Sequence, residues 1–291
     1  MRILFTIPHF FNAQGGGAYG SLKADPRPRL NALATTIFAL HSTVGSKQGL
    51  LLAPPVQSNT VHRADIDVVV CTAGEQHLVG QMKLPSGMFR HHPTDAKPMF
   101  LGFECHAVLR DALGKYDYYC FLEDDLQISD PLFFDKQQWF NGLFGDKAVL
   151  QPNRFEVAVG MNWHKLYIDG DLRDRSISER LQDVNDQPEL TADAFGKPVK
   201  FQRVNNPHSG CFFLNSRQME YWSKRLEFLN RDPSFAGPLE SAATLGIMLF
   251  FRAYKPAREN TGFLEIRHLD NRYLGTRSRT VPQPMEKAQA Q

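Results

Sequence analysis

The chain has no marked excess of charge of either sign. Its 33 Lys and Arg residues stand against 31 Asp and Glu residues, which gives a formal net charge of +2. The basic residues are also not massed on any one segment. Because broad nucleic-acid binding depends on a concentrated basic surface, we expect no nucleic-acid partner.

Long apolar runs are absent as well. No stretch approaches the roughly 18 apolar residues that a membrane-spanning helix requires, so we expect no transmembrane segment. The apolar run Ile3–Phe11 is short, is interrupted by Pro8 and His9, and lacks the small-residue cleavage site of a signal peptide. It therefore predicts a structural strand and not a leader.

The sequence contains only four cysteines and no C-x-x-C pair. They are widely spaced, and three of them lie in apolar runs, which favours reduced core thiols over disulfides. We therefore expect a cytoplasmic protein, with weak peripheral attachment at the inner membrane face left open. The four positions are Cys71, Cys105, Cys120 and Cys211.

In the first half of the sequence, patterns typical of strands alternate with patterns typical of helices. Continuous apolar runs at Arg2–Ile7 and Asp65–Thr72 predict buried strands. Apolar residues recur at helical spacing from Leu30 to His41, and again from Phe100 to Leu113. This alternation predicts a parallel sheet with helices on its faces.

The second half predicts more separate elements. Pro131 follows a capping Asp130 and should open a helix that runs toward Phe144. The charged, aperiodic segment 169–193 predicts a mobile loop that could act as a lid. The remaining predictions are a strand at Cys211–Leu214, helices at Ser216–Leu229 and Leu239–Phe251, and a half-buried edge strand at Phe263–His268.

The most informative feature is an aromatic and apolar run that ends in three carboxylates, Glu123, Asp124 and Asp125. Such a cluster needs solvent, a basic side chain or a cation to neutralise it. Mg²⁺ and Mn²⁺ prefer oxygen ligands of this kind. Ligands of open α/β sheets bind at the carboxyl ends of strands, so the run predicts a cation site, with a merely solvated strand end as the alternative.

Four features follow one another along the chain: Glu123-Asp124-Asp125, His208-Ser209-Gly210, Pro238-Leu239-Glu240 and His268. This order resembles the GT-A class of nucleotide-sugar glycosyltransferases. The acidic D-x-D motif of that class is similar to F-L-E-D-D at residues 121–125, with Glu123 in place of the first Asp. N-N-P-H-S-G-C-F-F resembles the donor loop, G-P-L-E-S-A the acidic start of a late helix, and F-L-E-I-R-H the C-terminal metal-binding histidine. The segments I-P-H-F-F-N and R-P-R-L-N-A-L also look like the nucleotide-binding start of that fold.

The resemblance implies an α/β, GT-A-like fold: a Rossmann-type, mainly parallel central sheet flanked by helices, with an acceptor-side half. It implies a single domain over residues 1–275, in which 1–127 bind the nucleotide sugar and 128–275 form the acceptor and metal half. Residues 276–291 are predicted to be a disordered tail because they are polar and contain two prolines.

The resemblance also implies the roles of individual residues. A divalent cation, Mn²⁺ or Mg²⁺, is expected on Asp125, Glu123 and His268, with a ribose contact as the alternative for Glu123. The expected partners are a nucleotide-diphosphate sugar, with a UDP-sugar as the default, and a saccharide or glycolipid acceptor. The expected donor-binding residues are Asp124, Pro8, His9, Arg29, His208, Ser209 and Gly210.

Glu240 is the expected catalytic residue. It follows Pro238 at the start of an apolar helix, where the helix dipole favours an ionised carboxylate. Such a carboxylate can accept the proton of an attacking sugar hydroxyl, as the general base of an inverting transfer. Alternatively, it only satisfies backbone N–H groups at the helix start, or it orients the acceptor in a retaining enzyme.

Two other functions fit the same motifs. The glycine-rich loop Gly15–Gly20 resembles that of sugar nucleotidyltransferases. In those enzymes the glycines follow the first strand almost immediately, whereas seven residues separate the loop from the strand here. A protein that binds a nucleotide sugar or metal without turnover is the second alternative. A glycosyltransferase that moves a hexose is the function we expect.

Overall fold

The computed structural model describes residues 1–16, 20–61, 64–157, 163–172, 174–270, 273 and 274. The protein is a mixed α/β structure with several sheets. Its α-helices are α1 (Arg27–Thr43), α2 (Leu101–Asp111), α3 (Phe133–Phe144), α4 (Ser176–Glu179), α5 (Ser216–Ser223) and α6 (Pro238–Phe250). Its strands are β1 (Arg2–His9), β2 (Gly49–Leu50), β3 (Val56–Gln57), β4 (Asp65–Ala73), β5 (Arg90–Thr94), β6 (Tyr118–Leu122), β7 (Leu126–Gln127), β8 (Ala148–Leu150), β9 (Asn153–Val157), β10 (Lys165–Tyr167), β11 (Glu189–Ala194), β12 (Lys197–Arg203), β13 (Cys211–Asn215), β14 (Arg252–Pro256) and β15 (Glu265–His268).

The largest sheet has five strands in the order β13-β6-β1-β4-β5. The pairs β6–β1, β1–β4 and β4–β5 are parallel, and β13 runs antiparallel to β6. β1 and β6 are almost wholly buried, which explains their continuous apolar sequences. β1 is therefore the central strand, with β4 and β5 on one side and β6 and β13 on the other. The chain adds strands first in one direction and then in the other, and the change of direction falls between β1 and β6.

Helices cover both faces of this sheet because successive strand side chains point to opposite sides. Ile3, Phe5 and Ile7 of β1 pack in one core cluster with α1 and α3. Leu4 faces the other way and packs in a second cluster with α2, α5 and α6. α6 therefore lies on the face that also carries α2.

Two four-stranded sheets extend the molecule, in the orders β10-β9-β15-β7 and β11-β12-β14-β8. β2 and β3 form a separate hairpin. The prediction of an edge strand at Phe263–His268 is wrong, because β15 lies between β9 and β7 and is hydrogen-bonded on both sides. One of its charged residues, Glu265, pairs with Lys165 of β10 in the same sheet.

The first-half strands and helices are confirmed to within a few residues. The loop prediction for 169–193 is wrong in part, because it contains α4 and most of β11, and because Asp169 is buried. The helix predicted at 216–229 ends at Ser223, and the one predicted from Pro131 begins at Phe133. All four cysteines are buried and free, as expected. The predicted tail lies outside the described residues.

Candidate functional site

A cleft of about 290 Å³ opens at the carboxyl ends of β1 and β6, where the strand order reverses. Open α/β sheets bind their ligands at this position. Seven of the residues singled out in the sequence line the cleft: Pro8, Arg29, Glu123, Asp125, His208, Glu240 and His268. Four others, His9, Asp124, Ser209 and Gly210, are not in its lining.

Strand pairing explains how residues so distant in sequence meet. β7 begins directly after the acidic run and pairs antiparallel with β15, so that His268 lies opposite Leu126. The backbone N–H of Leu269 donates to the carbonyl of Asp125 at 2.8 Å. This register places the end of β15 beside the carboxylate of Asp125, and His268 Nε2 lies 3.7 Å from Asp125 Oδ2.

Asp124 is held by protein side chains beneath the cleft. His9 Nε2 accepts a hydrogen bond from the backbone N–H of Leu78 at 3.1 Å, so the ring carries its proton on Nδ1. Nδ1 then donates to Asp124 Oδ2 at 2.5 Å. Arg29 forms an ion pair with the other carboxylate oxygen, and Asp124 is only 1 % exposed. Asp124 and His9 are thus hydrogen-bonded to each other, and neither side chain lines the cleft.

Arg29 joins two of the three consecutive carboxylates. Its Nη1 donates to Asp125 Oδ2 at 2.7 Å while Nη2 pairs with Asp124. Burial disfavours the charged guanidinium, but the charges of Asp124 and then Asp125 outweigh it and raise the pKa of Arg29. Burial also opposes ionisation of Asp125, yet Arg29 and then His268 hold the pKa of that carboxyl below its ordinary value. Asp125 is therefore an ionised carboxylate at neutral pH.

Glu123 is in a different environment. Burial first, and the neighbouring charge of Asp125 second, raise the pKa of Glu123 to about 8. Its carboxyl group packs under Gly210, whose φ of +65° and close contact leave no room for a side chain, because an added Cβ would lie 2.6 Å from Glu123 Oε2. In the absence of a cation, Glu123 is mainly protonated at neutral pH and is a weaker candidate ligand than Asp125.

Glu240 occupies the third position of α6 and lines the cleft without a hydrogen bond to any described residue. Its carboxylate folds back over the helix start, since a Cβ on Gly237 would lie 2.5 Å from Glu240 Oε2. The N-cap residue of α6, Gly237, has no side chain with which to cap the helix. The carboxylate is half-buried and available to a ligand.

The predicted donor loop contributes one residue to the cleft. His208 is 7 % exposed, and its Nδ1 lies 2.8 Å from Thr244 Oγ1 of α6. Burial, with the charge of Arg154 second, holds the pKa of His208 well below its ordinary value, so the ring is neutral. Ser209 is fully buried and donates to the carbonyl of Pro152 at 2.7 Å. The glycine-rich loop reaches the cleft through Gly20, whereas residues 17–19 lie outside the described residues.

Sequence reasoning missed a buried ion group beside the cleft. Arg154 Nε and Lys255 Nζ donate to opposite oxygens of Asp169 at 2.8 and 2.9 Å. Burial opposes ionisation of Asp169, but Arg154 and then Lys255 lower its pKa to about 2. Arg154 and Glu156 stand two apart on β9 and therefore lie on one face of that strand, and a pair of opposite charges at this spacing is the pattern in the sequence that indicates such a group.

The residues present fit a divalent cation, although with few protein ligands. Among the described residues, no group of three or more His, Cys, Asp or Glu side chains is placed to hold a metal. Mg²⁺, however, is commonly bound by about one or two carboxylates together with water and substrate phosphates. Asp125 Oδ1 is buried without a hydrogen-bond partner in the described structure. Adjacent ligands of an octahedral ion, each about 2.1 Å from it, lie about 3.0 Å apart. His268 Nε2 is 3.7 Å from Asp125 Oδ2, so the two side chains have to approach by about 0.7 Å to share such an ion.

Comparison with models of known protein families and with curated protein sequences found no match for this chain. No helix among the described residues is long and apolar enough to cross a membrane.

Proposed function

We propose that the chain is a metal-dependent glycosyltransferase of the GT-A type, which moves a hexose from a nucleotide-diphosphate sugar to a saccharide or lipid-linked acceptor with inversion. The observation that carries the proposal is the meeting of three remote segments in one cleft: Asp125 after β6, Glu240 in α6 and His268 at the end of β15. The mainly parallel pairing of the five-stranded sheet, with helices on both faces, also supports it.

The donor side of the proposal rests on charge. Asp125 and His268 would hold a Mn²⁺ or Mg²⁺ ion, which supplies positive charge to the diphosphate as it leaves. Arg29 keeps Asp125 ionised and so keeps a carboxylate ready for the ion. Arg154 and neutral His208 add hydrogen-bond donors to the same cleft. In this proposal residues 1–127 hold the nucleotide sugar, by default a UDP-sugar, and residues 128–275 complete the acceptor side.

The acceptor side of the proposal rests on Glu240. Its carboxylate has no hydrogen bond to a described residue and lies at the positive end of the α6 dipole. It would take the proton from an acceptor hydroxyl as that oxygen attacks the anomeric carbon on the face opposite the leaving diphosphate. The proton passes to Glu240, the new glycosidic bond forms, and the bond to the diphosphate breaks. That sequence inverts the anomeric centre.

The direct test is incubation with a panel of nucleotide sugars and Mn²⁺, followed by detection of nucleoside diphosphate. Slow release without an acceptor, and faster release with one, is the expected result. Pyrophosphate release from a nucleoside triphosphate and a sugar phosphate would instead identify a nucleotidyltransferase. Stabilisation by nucleotides without any turnover would identify a binding protein.

Two isosteric variants separate the proposed roles. Asp125→Asn should weaken Mn²⁺-dependent donor binding by about tenfold or more, because a neutral amide is a poor ligand for a hard cation. Glu240→Gln should leave donor binding unchanged and lower the rate of transfer by about 10²- to 10⁴-fold. Glu259→Gln changes an exposed carboxylate outside the cleft and is the matched control. Undiminished Mn²⁺-dependent affinity in Asp125→Asn would remove that residue from the site.

A further inference from the structure

Glu156 is a fully buried carboxylate on β9, the strand next to β15. Its Oε1 lies 2.8 Å from His268 Nδ1 and also accepts the backbone N–H of Tyr273 at 3.3 Å. Its Oε2 accepts the backbone N–H of Leu274 at 2.8 Å. One buried side chain therefore joins the end of β15 to the residues that follow it.

The hydrogen bonds define where the imidazole proton sits. A backbone N–H can only donate, so both oxygens of Glu156 act as acceptors. As a carboxylate, Glu156 has no hydrogen to donate, so its contact with His268 Nδ1 requires that Nδ1 carry the hydrogen. A neutral imidazole has a single N–H, so the lone pair is on Nε2, the atom that lies 3.7 Å from Asp125 Oδ2.

We propose that Glu156 is a positioning residue that keeps the proton of His268 on Nδ1 and turns the Nε2 lone pair toward Asp125. In the cationic ring, whose charge helps to lower the pKa of Asp125, Nε2 also carries a hydrogen. When the ring is neutral, its lone pair and the carboxylate of Asp125 face each other with no hydrogen between them. That arrangement is stabilised by a cation between or beside the two atoms. The identity of the cation rests on the proposed function, whereas the placement of the proton follows from the contacts of Glu156 alone.

An anchoring role for Glu156 would not account for the whole arrangement. The backbone N–H groups of Tyr273 and Leu274 would satisfy a carboxylate that only fastens the chain after β15. The contact with Nδ1 also selects which of the two ring nitrogens carries the hydrogen. Carboxylates that accept a hydrogen bond from a metal-binding histidine, without touching the metal, fix the tautomer of that histidine. The tautomer therefore distinguishes positioning from anchoring.

The first experiment reads the tautomer of His268 in the wild-type protein. Protein labelled with ¹⁵N in its histidines is freed of metal and recorded by NMR in mildly alkaline buffer, with a His268→Gln variant to assign the signal. We expect His268 to be protonated on Nδ1 and unprotonated on Nε2. A ring protonated on Nε2 would overturn the proposal.

The second experiment replaces the carboxylate by an amide. In Glu156→Gln only one side-chain oxygen remains to accept a hydrogen bond. The amide therefore cannot accept from both the backbone N–H of Leu274 and Nδ1–H of His268, as Glu156 does. The fraction of His268 with its hydrogen on Nε2 should increase. Binding of Mn²⁺, followed by its electron paramagnetic resonance signal, should weaken by about 10- to 100-fold. The matched control is Glu265→Gln on β15, whose carboxylate accepts from Tyr167 at 2.6 Å and not from His268. Unchanged Mn²⁺ affinity in Glu156→Gln would overturn the proposal.

The two arms also separate this inference from the proposed function. Wild-type protein that binds no Mn²⁺ would refute metal-dependent transfer, and the NMR arm on the same protein would still decide the position of the proton. Donor turnover with a ring protonated on Nε2 would refute the role of Glu156 and leave the proposed function standing. A Glu156→Gln protein that does not fold leaves the decision to the wild-type spectrum.

Discussion

Acidification should destabilise the protein through His106, a buried histidine of α2. The side chain is 2 % exposed and donates from Nε2 to the carbonyl of Ala242 in α6 at 2.9 Å. Burial, opposed only in part by that hydrogen bond, lowers the pKa of His106 from 6.5 to about 4. The aromatic rings within contact distance of it are those of Phe103, Phe121, Phe212, Trp222 and Phe228.

The size of the effect follows from this pKa difference. Because the folded pKa is lower than the unfolded one, the unfolded chain binds more protons between pH 6.5 and 4. The contribution of neutral His106 to stability is therefore complete above the unfolded value and is lost as the pH falls through the folded value. At about 1.4 kcal/mol for each pKa unit, the loss reaches roughly 3 kcal/mol at low pH. That is a large share of the roughly 5–15 kcal/mol by which domains are stable.

The assay is the free energy of unfolding by guanidinium chloride, measured at pH values from neutral to weakly acidic. We expect the wild-type protein to lose about 2–3 kcal/mol more than His106→Phe, since phenylalanine fills the aromatic pocket and cannot be protonated. His164→Gln, at an exposed position, controls for the loss of a histidine as such. Equal losses in wild type and His106→Phe would refute the reasoning, because all other titrating groups are common to both proteins.

Two further predictions concern stability. Asp169→Asn should destabilise the fold by about 3–5 kcal/mol in the same assay, because it leaves two buried cations without their carboxylate; a loss as small as that of the exposed Asp186→Asn would contradict this. Gly246→Ala should cost about 1–3 kcal/mol, because its Cβ would lie 2.3 Å from the ring of Trp222. Gly142→Ala, which has open space in helix α3, should be neutral or stabilising by up to about 1 kcal/mol, and equal effects of the two alanines would contradict the packing argument.

The central strands could be predicted from sequence because burial on both faces leaves an unmistakable pattern. β1, β4 and β6 are continuous apolar runs, and the helices between them keep a helical spacing. β5 was not predicted, because Arg90–Thr94 is an exposed to half-buried sheet edge with two histidines and a proline. β15 was placed at an edge because its charged residues alternate, and only the pairing with β7 and β9 shows that it is internal. Long-range pairing of this kind has no local signature.

Part of the candidate site was predictable for a similar reason. Asp125 follows a buried strand and Glu240 opens an apolar helix, and both environments can be read from adjacent residues. The residues that pair with the charged side chains of the site cannot be predicted in this way, because they are distant in sequence. Arg154 and Asp169 are 15 positions apart, and Lys255 reaches the same carboxylate from 86 positions away. Glu156 likewise meets His268 across 112 positions.

The three consecutive carboxylates show that the number of acidic residues in a motif does not give the number of side chains able to bind a cation. Burial and then the charge of Asp125 raise the pKa of Glu123 to about 8, which disfavours its ionised form at neutral pH. Asp124 is neutralised by Arg29 and accepts a hydrogen bond from His9. Only Asp125 combines an ionised carboxylate, an oxygen without a partner among the described residues, and an imidazole at 3.7 Å. Since Arg29 bridges both aspartates, an ion that draws on Asp125 also alters the balance of charge at Asp124. The end of β1, where His9 holds Asp124, is therefore coupled to the proposed cation site through the guanidinium group of Arg29.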